Sequence, residues 1–266
     1  MKKLSFFNII IYLSGFFVFF PMAVLVLWGF GKRWPWPSVI PSEYSLRGVS
    51  YVVSTPNSIN MVLFSIVLSA IVTIISLAIS IPAGRALAMY EFKGKGFFKL
   101  LVLFPLVISP VATGLGIQVF FIKLGLSGTF IGVVLVHLVP CLPYGIRILT
   151  DVFKALGESM EQQARNLGAG KLQVLYYITL PLISKGLLSA GSLIFIVSFS
   201  QYFLTFIIGG GNVVTLSMLM FPFIQSGDRG IAACYSMVFI GITFIILLTV
   251  EKRIKSIYLS ENNFYI

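Results

Sequence analysis

The chain has 266 residues, 58% of them hydrophobic and 10% charged, with a formal net charge of +11 and a mean hydropathy of +1.01. Soluble domains spend about a quarter of their residues on charge, so this chain cannot cover a water-facing surface and lipid must be its main solvent. The composition excludes a soluble domain, and the placing of the basic residues removes the need for a nucleic-acid partner.

Uncharged runs long enough for the roughly 20 residues of a spanning helix place helices at about 6–29, 60–83, 100–121, 126–146, 186–207 and 231–250. Lys2 and Lys3 give the start the look of a signal peptide. The apolar run behind them is too long, and no small-residue cleavage site follows, so it is expected to stay as a helix. In the outer loop 30–58, rich in Pro, Trp and Ser, Trp34 and Trp36 fit an interfacial aromatic belt. The second helix closes on "SIPAG" and Arg85, which can anchor it at the headgroups. In the fourth, His137 beside Pro140 and Pro143 reads as a packing residue, hydrogen-bonded to carbonyls that the prolines free. Cys141 and Cys234 lie in apolar runs and read as packing residues rather than a disulfide.

On the fifth helix, Ser198, Ser200, Gln201 and Thr205, with Ser189 and Ser192 ahead of them, either line a hydrophilic path or join helices by hydrogen bonds. Gly209-Gly210-Gly211 ends that run. The stretch 213–224, interrupted by Pro222, is too short to cross, so the outer loop 208–229 is expected to hold an interfacial or re-entrant piece. This outer segment could form a gate or contact an external protein, and Asp228-Arg229 reads as a local ion pair. The expected fold is therefore an all-α, polytopic membrane protein, one transmembrane domain over 1–266 with six helices. With both termini cytoplasmic, fourteen Lys and Arg fall inside and five outside, as the positive-inside rule requires. A seventh helix would export the "EKRIK" tail.

No Asp or Glu falls inside the six expected spans. Coupling to a proton or sodium gradient needs a site that changes charge, and only His137 could serve. There is no GxxxxGK[ST] loop to cradle phosphates, since Gly31-Lys32 and Gly170-Lys171 lack both the upstream glycine and the following Ser/Thr. No GxSxG, metal-ligand cluster or paired carboxylate is present either. No catalytic residue, metal or cofactor is expected in this chain, so uphill movement would need energy from a partner.

The polar segment 150–181 falls on the cytoplasmic side. Ser159 can cap a helix, with Gln162 three residues on as in a capping box. Met160, Ala164 and Leu167 make a narrow apolar stripe, and Glu161 and Arg165 form an i,i+4 pair on another face. Gly168 suits the left-handed position past a helix end. A second amphipathic stretch runs over 171–179, and Pro181 marks the start of the fifth spanning helix. A helix this short needs something to pack on, either lipid headgroups or a protein groove.

In this sequence the segment "EQQARNLGAGKLQVLYYITLPLI" resembles the EAA loop of permease subunits of type I, binding-protein-dependent ABC importers. The matches are Glu161 just ahead of the motif, Ala164 as its second alanine, Leu167-Gly168-Ala169, and Ile178-x-Leu180-Pro181. Gln162 replaces the motif glutamate, Gln163 the first alanine, and Gly170 a common capping Ser or Thr. The resemblance covers roughly 60–250 with the six-helix layout and "FSQYFLTFIIGGG", and is nearest the polyamine, thiamine, iron and phosphonate branch.

The resemblance implies that Glu161, Gln162, Ala164, Leu167, Gly168, Ala169 and Pro181 belong to a coupling element that docks on a cytoplasmic ATPase. It implies a transporter with a second permease, the same or paralogous, two ATP-binding cassette subunits holding ATP and Mg, and an external or periplasmic substrate-binding protein. This chain would then sit in the cytoplasmic (inner) membrane and form half of a path for a small polar solute. The alternative is a stand-alone channel or secondary transporter whose cytoplasmic loop lies on lipid.

Overall fold

The computed structural model describes residues 6–35 and 37–262; Lys2, Lys3 and Trp36 lie outside the described residues. Its long helices are α1 (Phe6–Phe30), α3 (Ser58–Met89), α6 (Phe130–Leu156), the run Lys171–Phe199 and α12 (Arg229–Asn262). Each is apolar and long enough to cross a bilayer. A further pair, α4 (Lys95–Val107) and α5 (Pro110–Lys123), is bent by 102° and makes the sixth span if counted as one. Shorter pieces are β1 (Gly31–Arg33), β2 (Glu43–Tyr44), α2 (Arg47–Ser54), α7 (Ser159–Asn166), α10 (Phe203–Gly209) and α11 (Leu216–Ser226).

Where these differ from the apolar runs, the backbone explains why. The span expected at 100–121 is broken because Ser109 precedes Pro110, and a residue before proline is pushed out of the helical region. Ser109 is extended, its hydroxyl accepts the Val111 N–H, and Pro110 starts the new helix. The fourth helix runs past the expected 146 to Leu156, since the first breaker is Gly157 at φ 67. The fifth is not one helix over 186–207. It ends at Phe199, and α10 begins at Phe203, so Gln201 lies in a break and Thr205 on a separate helix. The break is stable because its backbone is satisfied by side chains: the Gln201 carbonyl accepts from the Thr205 and Ser217 hydroxyls, both at 3.0 Å.

The chain forms two compact units. One takes the chain up to Val62 with Met218–Ile242, and the other takes Leu63–Ser217 and the chain from Thr243. In the first unit, α1 is apolar all round and buries none of its most apolar stretch, as lipid exposure demands. Its end feeds the antiparallel β1–β2 pair, where Lys32 meets Glu43 at 3.0 Å. Asp228 and Arg229 do not pair with each other. Asp228 accepts from Arg47 at 2.9 Å and from the Ile231 N–H at 3.3 Å, while Arg229 sits 4.8 Å from the centre of the Trp28 ring. The carboxylate thus caps α12 and holds α2.

The second unit is built on α3, α6 and the fifth-helix run. Leu68, Val72, Val136, Cys141, Ile194 and Ile208 form its main core. Leu149, Phe153, Ile183 and Ala190 form a second cluster towards the end that carries α7. Backbone approach is set by glycine: a Cβ on Gly186 would lie 2.6 Å from Val152, and one on Gly84 3.0 Å from Leu149. Small residues at helix contacts are what bundles in lipid use to pack, since hydrophobicity gives no preference for helix over lipid.

A candidate coupling element and a buried hydroxyl bracket

Gly157 turns the chain out of α6, so Ser159 is already inside the first turn of α7. The N-cap is Glu158, with no side-chain capping bond. The expected Ser159 capping box is therefore not formed, and Gln162 instead donates to the Glu158 carboxylate at 3.0 Å. At the far end Gly168 adopts φ 90, with its N–H on the Arg165 carbonyl at 2.9 Å. The Ala169 N–H reaches the Ala164 carbonyl at 3.1 Å. These two bonds make a Schellman cap. No atom lies within 4 Å of a Cβ built on Gly168, so the turn demands glycine for conformation and not for space. Gly170 has no side chain to take an N–H of the first turn of the next helix, and only the reciprocal half of a capping box forms, the Gln173 side chain accepting the Gly170 N–H at 2.8 Å.

The decisive residue is Glu161, only 6% exposed. Its carboxylate accepts from the Arg85 guanidinium on α3 and from the Thr179 hydroxyl at 2.7 Å. The expected partner Arg165 is present but lies farther off, at 3.8 Å. Arg85 is thus no simple headgroup anchor: it bolts α7 to the second spanning helix, while Thr179 bolts it to the fifth. A buried carboxylate is tolerated only when paired and hydrogen-bonded in this way. Sequence reasoning missed both Arg85 and Thr179 as members of the site.

Beyond the turn, α8 (Lys171–Val174) passes through a π turn (Leu175–Thr179) into α9 (Leu180–Phe199). Pro181 sits in the first turn of α9, as expected of a helix start, but the run Lys171–Phe199 ahead of and behind it is helical without a break. Proline lacks an N–H and its ring clashes with the carbonyl four residues back, and a wide turn relieves both. The stripe of Met160 and Leu167 turns outward, with Leu167 89% exposed. Leu172, Tyr176 and Tyr177 are exposed beside it, and Ala164 is half-buried. The element is held tightly on one side and offers an uncovered apolar surface on the other.

Deeper in the membrane, His137 on α6 is fully buried and contacts Ser198 Oγ at 3.0 Å and Thr205 Oγ1 at 2.8 Å. The Thr205 hydroxyl donates to the Gln201 carbonyl, so it accepts from His137 Nε2–H, and Nδ1 accepts from Ser198. His137 is satisfied by hydroxyls and not by proline-freed carbonyls. Of the two readings open to Ser198 and Thr205, helix-joining hydrogen bonds are what the geometry has: both are buried in a bracket across the helix break. Ser200 and Gln201 keep exposure at that break.

A bundle of apolar spans carrying an outward-facing helix, braced to two of them from the cytoplasmic end, is the frame of a transport permease. The chain belongs to the family of binding-protein-dependent transport system inner membrane components, whose model matches residues 80–256. It is similar to the putrescine transport system permease protein PotI of Escherichia coli (strain K12), 27% identical over 232 residues, covering 83% of this chain and 80% of that one. The putative 2-aminoethylphosphonate transport system permease protein PhnV of Salmonella typhimurium is 24% identical over 242 residues, 90% of each. Among solved structures, a bacterial ABC transporter that imports the acidic polysaccharide alginate shares the fold, with a TM-score of 0.74 at 16% identity over 95% of this chain and 98% of that one. The MetNI methionine ABC transporter superposes with a TM-score of 0.63 at 13% identity, over 75% of this chain and 95% of that one. The chain is an inner-membrane permease subunit of an ABC importer.

Proposed function

We propose that this permease is a non-catalytic subunit driven through α7. ATP and Mg act in two ATP-binding cassette partners. A second permease, the same chain or a paralogue, completes the path, and an external binding protein delivers the solute. The solute is small and polar, of the putrescine or aminoethylphosphonate kind that the relatives' names carry. The observation behind this reading is the Arg85–Glu161–Thr179 node: a helix braced to the second and fifth spans while Met160, Leu167 and Leu172 stay uncovered. An element fixed on one face and bare on the other can pass a push from a docked subunit into whole helices.

The test is purification of the chain from its own host in detergent, with mass spectrometry of what accompanies it and an ATPase assay. A co-purifying nucleotide-binding subunit with ATPase activity is the expected result. A chain that purifies alone, without ATPase, overturns the proposed drive through α7 and returns the loop to a helix on lipid headgroups.

A further inference from the structure

Near the end of the second unit that carries α7, the last turn of α3, the first turns of α4 and the last turns of α6 surround a cavity of about 200 Å3. Lys99, Arg147 and Lys154 stand around it with a single acid, Asp151, and Leu87, Val102, Leu103 and Ile146 form its walls. Lys154 leans on Asp151 at 3.5 Å, and Glu91, near enough to feel Lys99, is bonded to Lys95 at 2.6 Å, so the basic groups around the cavity still outnumber the acids. Lys99, Arg147 and Lys154 are exposed, and the adjoining surface of α4 is exposed Leu100, Leu101 and Phe104. None of these residues takes part in the Glu161 brace.

We propose that this is a binding site for an anionic phospholipid of the cytoplasmic leaflet, its phosphate on Lys99 and Arg147 and an acyl chain against the Leu103 wall. Three observations select that occupant. The charge is complementary to a phosphate and would repel a cationic solute. Where three helix ends meet at the basic rim of the bundle, the positive-inside rule puts the cavity at the depth of cytoplasmic headgroups. The apolar walls have no use for a free phosphate but continue into a lipid-facing helix surface. The proposal rests on this orientation and not on the ATPase partnership, so either can fail alone.

Native mass spectrometry of the full, delipidated chain in detergent tests it, with titrations of phosphatidylglycerol, phosphatidylcholine and inorganic phosphate. Phosphatidylglycerol should bind on the order of fivefold tighter per engaged cation than phosphatidylcholine, a comparison that needs no variant. The Lys99→Gln and Arg147→Gln variants should each lose that factor, while Leu103→Ser should weaken both lipids alike. Equal affinity for the two lipids overturns the proposal, as does undiminished preference in the Lys99→Gln, Arg147→Gln double variant. Inorganic phosphate binding as tightly as phosphatidylglycerol would assign the site to a free anion and overturn it too. Loss of the lipid on transporter assembly, with Lys99 cross-linked to a protein carboxylate, would give the site to a subunit contact.

Discussion

Two polar nodes hold this bundle, and they solve the same task with opposite chemistry. At the α7 brace a full charge is buried, because Arg85 and Thr179 can both reach the Glu161 carboxylate. At the His137 bracket, within the apolar span, the groups are an imidazole and two hydroxyls. Charge is costly near the bilayer centre, so a neutral network joins the broken fifth helix to α6, and the ion pair is kept for the rim. The rim node is therefore strong and intolerant of losing one partner; the inner node is weaker and tolerant of neutral replacement.

That contrast can be broken in graded steps. Arg85→Ala should have the largest effect, about 3 kcal/mol, because it leaves a buried carboxylate with only the Thr179 hydroxyl and the more distant Arg165. A lowered melting temperature in detergent, with loss of transport-linked ATPase, would show it; an unchanged protein would mean that Glu161 is not held as described. Next comes Gly168→Val, which forces a β-branched residue to φ 90 at a cost of about 1–3 kcal/mol. Its expected signature is a chain that inserts normally and binds the ATPase but hydrolyses ATP without moving solute. Wild-type stimulation of ATPase by solute would remove the turn from the coupling path.

His137→Leu should cost less, about 1–2 kcal/mol, since hydrogen bonds between spanning helices are modest and the bulk is partly kept. If it matches Arg85→Ala in a thermal melt, the two nodes do not differ as argued. Gln162→Glu should be smallest: it trades an exposed bond to Glu158 for a like-charge i,i+4 pair, roughly 0.2–0.5 kcal/mol. Transport close to wild type is expected, and a severe defect would show that this side chain touches a partner.

What could be read in advance follows from how far apart the interacting residues are. Apolar runs located the spanning helices, and Gly168 was legible because a left-handed turn is a property of one residue and its neighbours. The break at Ser109-Pro110 was also local and could have been read from that dipeptide. The Arg85–Glu161 pair joins positions 76 apart, and Arg47–Asp228 positions 181 apart. No periodicity carries such a pairing, so Asp228 read as a partner of its neighbour and Arg85 as an anchor. Serines in an apolar helix are ambiguous for the same reason: burial in the His137 bracket depends on a helix more than sixty residues away.

The π turn ahead of Pro181 sets how movement can travel. A straight α-helical rod would carry any tilt of its cytoplasmic tip undiminished into the membrane. Here the rod is softened at one turn, Leu175–Thr179, and the strut from Thr179 to Glu161 is fastened at that same turn. The turn at which the rod leaves α geometry is thus the same turn that one hydroxyl ties to α7, so that in the proposed mechanism a tilt of the tip and a swing of α9 would share a single strut.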